Sequence, residues 1–157
     1  MKKNKKGFTL VELLAVIVIL GVLLMIAVPA IQNVIANSQR KSFESAAKLA
    51  IENVETLASA EKVSGNISPC YVLIAQTTVG SNTVPGIELE RGSFGTNAKG
   101  YIYVDEKGKG TITITNDTFS ISGKTLAQIS TEGFKASDAT SVTIDASITD
   151  SLCSWYY

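Results

Sequence analysis

The residue with the most evident chemical purpose is Glu12, because it stands inside "KKGFTLVELLAVIVILGVLLMIAVPAI", residues 5–31, where nothing else after Lys6 is charged. A carboxylate at membrane depth costs on the order of 2.5–3.5 kcal/mol on insertion scales, so a chain that keeps one there has a use for it, and pairing with a positive group is the chemistry it can do. Two cysteines, Cys70 and Cys153, are the other reactive candidates. They are open to two fates, a disulfide or two separately buried thiols. The chain has no histidine, which removes the usual imidazole base and metal ligand, and two distant cysteines make no zinc cluster. Asp105-Glu106-Lys107-Gly108 has the outline of a calcium loop, but Lys107 occupies a ligand position and no glutamate closes the loop, so a hairpin turn is the reading there. The glycines form no phosphate-cradling loop. No catalytic residue, cofactor site or metal site is expected.

The element that must position Glu12 is long and apolar. From Leu13 to Ile31 there is no charged residue, and at 1.5 Å per residue a helix of that length matches a hydrocarbon core of about 30 Å. Lys2, Lys3, Lys5 and Lys6 precede it, and the excess of lysine on that side keeps it cytoplasmic, with everything after Ile31 directed outward. Net charge over the 157 residues is zero, and setting those four lysines aside leaves 10 basic residues against 14 acidic ones. The body of the protein therefore lacks the clustered positive charge that binding to nucleic-acid phosphates requires. A secretory signal peptide would also have lysines followed by an apolar run, with Val28-Pro29-Ala30 as a loose cleavage site. The run exceeds the usual 7–15 residues, and a proline sits within that site.

Together the basic leader, the Gly7-Phe8 junction, Thr-Leu-Val-Glu ending in Glu12, and the unbroken apolar run resemble the amino terminus of type IV prepilins. The resemblance covers about the first thirty residues. It implies cleavage between Gly7 and Phe8 by a membrane prepilin peptidase, N-methylation of the new Phe8 amine, and retention of the apolar helix. It further implies that Glu12 attracts the Phe8 amine of a neighbouring subunit during assembly. An unpaired charge penalises wrong stacking registers, whereas the paired one selects a single offset. Gly21 and Pro29 are the two poor helix residues in the run. By resemblance the segment between them loses helical order in an assembled fibre; a simple kink is the alternative.

Past Ile31 the helix becomes amphipathic. Phe43, Ala46, Ala47, Ala50, Val54, Leu57 and Ala58 recur at three- and four-residue spacing, while Arg40, Glu44, Lys48, Glu52 and Glu55 fall on other faces. The pattern predicts one helix from about Phe8 to near Val63, a rod of roughly 80 Å, ending at Ser64-Gly65-Asn66 with Pro69 beyond. From Cys70 the sequence alternates like strands in "YVLIAQTTV", "GYIYVDE", "GTITITN", "TFSISG" and "SVTIDASI", with a hairpin turn inside residues 105–110 and a short helix around Leu126 to Ser130. Residues 64–100 are irregular, as the αβ-loop of the family would be.

The fold class expected is α+β, a pilin fold with one long amino-terminal helix packed on a small antiparallel sheet. Its divisions are a leader at 1–7, an apolar assembly helix at 8–35, an amphipathic half at 36–63 and a β-rich head at 64–157. Many pilins clamp a loop near the carboxy terminus with a disulfide. A Cys70–Cys153 bridge would span 83 positions, longer than is usual, and would contribute up to roughly 4–5 kcal/mol in the loop-entropy model. Asn66-Ile67-Ser68 and Asn116-Asp117-Thr118 fit the N-glycosylation pattern. Trp155, Tyr156 and Tyr157 are expected to pack on the head.

The function implied is a structural subunit of a type IV pilus, polymerising with copies of itself. Its implied partners are the prepilin peptidase, an assembly ATPase and a platform protein. It would reside in the cytoplasmic membrane as a precursor and then in a surface fibre serving adhesion, twitching motility and biofilm formation. Two alternatives stay open. One is a pseudopilin of a type II secretion or DNA-uptake machine, which shares the same amino terminus. The other is a membrane-anchored or secreted binding module in which Glu12 is incidental.

Overall fold

The computed structural model describes residues 7–65, 67–79, 81–89, 92–132 and 142–157, without the side chains of 79, 131 and 132. Two compact units meet between Ser38 and Gln39. The first contains the opening turns of helix α1, Leu10–Ser64, and the second contains the rest of α1 and all other elements.

Within the second unit α1 buries Phe43, Ala46, Ala47, Ala50, Ile51, Val54 and Ala58. Four of these are alanines, which fill the helix side of the core with little volume. The stripe differs from the expected one at two positions. Leu57 is 43% exposed, and Ile51 is fully buried in its place. Ile51 lies one turn from Ala47 and two turns from Ala58 on the inner face, whereas Leu57 is rotated to the stripe's far margin, which spacing rules that accept both i+3 and i+4 do not separate.

The main sheet has the order β1-β4-β5-β6 and is antiparallel throughout, with β1 at Cys70–Leu73, β4 at Lys99–Val104, β5 at Gly110–Thr115 and β6 at Ser120–Thr125. Period-two alternation sends Ile102, Val104, Ile112 and Ile114 to the core and leaves Tyr71, Tyr101 and Tyr103 in a ring cluster with centroids 5.2 and 5.3 Å from Tyr71. The turn between β4 and β5 is the expected hairpin. Asp105 Oδ1 accepts from the Lys107 and Lys109 N–H groups at 2.9 and 2.8 Å, which commits this carboxylate to closing the turn. Glu55 of α1 then ties the hairpin down, accepting from Gly110 N–H at 3.0 Å and pairing with Lys109 Nζ at 3.4 Å.

Two strand expectations need correction. The run "YVLIAQTTV" is not one strand: β1 ends at Leu73, and Thr77–Val79 is β2 of a separate two-stranded hairpin with β3, Asn82–Val84. The run "SVTIDASI" forms no strand over its described residues, 142–148. Asp145 instead caps a short helix, α3 at Ala146–Asp150, by accepting from Ile148 N–H at 3.2 Å. The Ser147 hydroxyl and then the Ile148 N–H hold the Asp145 carboxyl below its usual range. The short helix after β6 is present as α2, Leu126–Glu132, opened by a capping box in which Thr125 N–H donates to Gln128 Oε1 at 3.0 Å.

The carboxy-terminal tail completes the sheet at the β1 edge. Tyr71 N–H donates to Ser151 O at 2.9 Å and Cys153 N–H to Tyr71 O at 3.0 Å, forming a parallel bridge beside Leu152. The Cys70–Cys153 disulfide fastens this junction, with Cα atoms 5.0 Å apart. At the other end of β1, Ile87 N–H donates to Leu73 O at 2.9 Å, and Leu73 N–H donates to the Tyr157 hydroxyl. Trp155 and Tyr156 pack against the core as expected.

The tightest joint in the sheet is Gly100, opposite Ile114. A Cβ added there would lie 2.2 Å from Thr113 O and 2.7 Å from Ile114 Cα, both backbone atoms of the neighbouring strand. Gly100→Ala is expected to destabilise the head by about 3 kcal/mol or more, read as a lower urea midpoint for loss of the near-ultraviolet aromatic signal. An unchanged midpoint would show that β4 and β5 are not packed this closely.

Candidate functional site

The amino-terminal site is built on the first turn of α1. Thr9 is its N-cap: the Thr9 N–H and hydroxyl both donate to Glu12 Oε2 at 2.8 Å, and Glu12 N–H donates back to Thr9 Oγ1 at 3.3 Å. Leu13 N–H reaches Thr9 O at 3.2 Å to start the helical ladder. This is a reciprocal capping box, which satisfies orphan donors of the helix terminus and places the carboxylate at the positive end of the helix dipole. The helix therefore begins at Leu10 and not at Phe8. Gly7 and Phe8 lie in non-helical, exposed backbone ahead of it. Thr9 is the functional residue that sequence reasoning missed. The signal was available, since Thr-x-x-Glu before an apolar run is the sequence form of the box.

The rest of the first unit is apolar surface with no cover of its own. Leu13, Ile17, Leu20, Leu24 and Ile31 are all exposed, from Val28 at 45% to Met25 at 80% among their neighbours. Among the described residues, α1 is the helix long and apolar enough to cross a membrane. It runs without interruption through Gly21 and Pro29. Proline at position 29 removes one backbone donor, and no atom lies within 4 Å of a Cβ built on Gly21.

The remaining sequence candidates sit elsewhere. The leader lysines Lys2, Lys3, Lys5 and Lys6, and Asn66 of the first glycosylation pattern, lie outside the described residues. Asn116 of the second pattern is engaged in the fold. Its Nδ2 donates to Phe94 O at 2.7 Å, and its Oδ1 accepts from Thr118 and Phe119 N–H at 2.8 and 2.6 Å. Cys70 and Cys153 are joined to each other in the head, in the second unit.

A long helix that is apolar at its start and carries a four-stranded antiparallel sheet along its later half defines an α+β protein of the pilin fold. Comparison with known proteins agrees. Residues 2–28 match the family model described as "Prokaryotic N-terminal methylation motif". The chain is 56% identical over 39 residues to a type IV major fimbrial protein FimA of Dichelobacter nodosus, a stretch covering 25% of each chain. It is 54% identical over 39 residues to fimbrial protein EcpC of Eikenella corrodens, covering 25% of this chain and 26% of that one. A longer alignment, 34% identical over 101 residues, joins it to fimbrial protein Q of Moraxella bovis and covers 60% of this chain and 64% of the relative. The match to the first two thus spans about a quarter of their length. No solved structure matches. By amino-terminal motif and relatives, the chain is similar to type IV fimbrial proteins.

Thr9→Ala should cost about 1 kcal/mol at the helix terminus, seen in detergent micelles as faster amide exchange over Leu10 to Leu13, with Thr9→Ser restoring protection. Equal exchange in all three forms would show that the box does not hold the terminus.

Proposed function

We propose that the chain is a structural subunit that polymerises through its amino-terminal helix into a type IV pilus. The observation that carries this reading is the exposed apolar surface of α1 with a single carboxylate, Glu12, at its start. A surface of that kind needs lipid or other apolar helices to cover it. Copies of the same helix offer the second kind of cover, and fibre assembly exchanges one for the other.

In this reading the leader is cut between Gly7 and Phe8 by the prepilin peptidase, which leaves a positive, N-methylated amine on Phe8. The non-helical, exposed backbone at Gly7 and Phe8 is the kind of segment a peptidase can engage. Glu12 then has two successive partners. In the single subunit the Thr9 donors satisfy it, which lowers the cost of holding a carboxylate at membrane depth. In the fibre the Phe8 amine of the next subunit supplies the opposite charge, and only one axial offset brings the two together. The stretch from Gly21 to Pro29 is helical in the single chain, and its two poor helix residues make it the place where α1 extends within a fibre.

An assembly ATPase and a platform protein drive extraction from the cytoplasmic membrane, and the finished fibre lies at the cell surface, where adhesion, twitching motility and biofilm formation follow. The fimbrial names of the relatives favour a pilus over a pseudopilin of a secretion or DNA-uptake machine. The role is structural, without enzymatic chemistry.

Glu12→Ala separates polymerisation from mere anchoring. The expected result is loss of surface fibres by electron microscopy, with the processed protein still present in the membrane fraction. Fibres in normal number would remove Glu12 from assembly and favour a membrane-tethered binding module.

A further inference from the structure

The head contains a cavity of about 290 Å³ that the assembly role does not use. Three segments distant in sequence enclose it: α1 at Gln39 to Phe43, the loop Ser93 to Thr96, and the turn between β5 and β6 at Asn116 to Phe119. Its floor is aromatic. Phe43, Phe94 and Phe119 line it while each remains at most 9% exposed, and the Phe43 and Phe119 rings lie 5.7 Å apart at a tilt of 40°. The rim is polar and exposed, formed by Gln39, Ser42, Ser93, Thr96, Asp117 and Thr118.

The walls are built, not incidental. Gly95 N–H donates to Ser93 Oγ at 3.0 Å, and Phe94 O accepts from Asn116 Nδ2. Gly95 has φ +84°, and a Cβ on it would lie 2.9 Å from that same Asn116 nitrogen, so loop and turn meet here only through a glycine. Asn97, itself in the left-handed region at φ 55°, aims its Nδ2 at both Asp117 oxygens, at 3.3 and 3.0 Å. One amide thereby fixes the orientation of the carboxylate, while an ionised carboxylate has about four acceptor positions to offer.

We propose that this cavity binds a single uncharged sugar unit. Its chemistry selects that class. No lysine or arginine lines it, so a phosphate or carboxylate ligand would meet Asp117 with no cation in the lining to offset the repulsion. The rim hydroxyls and the Gln39 amide both donate and accept, as a polyol requires, and the oriented Asp117 carboxylate accepts from two adjacent hydroxyls. The phenylalanine floor provides apolar contact for the C–H face of a sugar ring. The volume lies at the lower end of small-molecule sites, which suits one ring and not an extended chain. The site lies wholly within the second unit, with one wall from α1 and the others from the β-rich head.

The test is saturation-transfer NMR on the full chain in detergent micelles, with D-glucose, D-galactose and N-acetyl-D-glucosamine as probes and glucose 6-phosphate as the charged control. Transfer to at least one neutral sugar is expected. It should fall at least fivefold in Asp117→Asn and vanish in Ser42→Trp, whose indole fills the mouth from an exposed helix position. Glucose 6-phosphate should bind at least fivefold more weakly than glucose. No transfer to any of the three neutral sugars, wild-type transfer in both variants, or equal binding of the phosphorylated sugar would each overturn the proposal. Circular dichroism verifies that each variant is folded, and if Asp117→Asn is not, Ser42→Trp decides.

Discussion

The apolar first half of α1 must be covered at every stage of the protein's life, and one carboxylate must be satisfied each time the cover changes. In lipid, an unpaired Glu12 would cost on the order of 2.5–3.5 kcal/mol. The capping box with Thr9 meets that demand locally by giving Oε2 two donors. It does so without a counter-charge, so a positive partner is still the better one. In the proposed reading, a carboxylate tolerated in the single subunit but better paired in an assembly permits storage without making storage the final state.

The head answers a different constraint, that of fastening a sheet to a helix whose first half is committed elsewhere. Alanines at 46, 47, 50 and 58 share one buried core with Ile102 and Val104 of β4 and Ile112 and Ile114 of β5, and Glu55 anchors their hairpin from the side. The β1 edge would otherwise offer unpaired backbone groups to a neighbouring molecule. It is met at one end by Ile87 and at the other by Ser151 and Cys153, with the disulfide holding the latter in place. The long loop between Cys70 and Cys153 encloses every strand of the described residues, so the bridge restricts the unfolded chain over almost the whole head.

Much of this was legible in the residues, for reasons that can be named. The long helix was visible because its period extends over many turns, and β4, β5 and β6 because each alternates cleanly between punctuating turns. The helix starts two residues later than the apolar run suggests, because Thr9 caps it and periodicity carries no information about a cap. Ile51 is buried where Leu57 is not, because helical spacing fixes a stripe but not its margins. "SVTIDASI" alternates like a strand, yet Asp145 with Ser147 beside it is also a helix cap, and local pairing decided between two patterns that hydrophobicity alone leaves equal. The tail's pairing with Tyr71 and the cavity over Phe43, Phe94 and Phe119 join segments far apart in the chain, and no local pattern carries that information.

The central claim is that the apolar helix is retained and assembled, and the intact mass and amino-terminal sequence of protein sheared from the cell surface test it most directly. The account predicts a chain that begins at N-methylated Phe8 and keeps Glu12 and the whole of α1. A chain that begins near Ile31 would mean that the apolar segment had been discarded, and no fibre built on Glu12 could then exist.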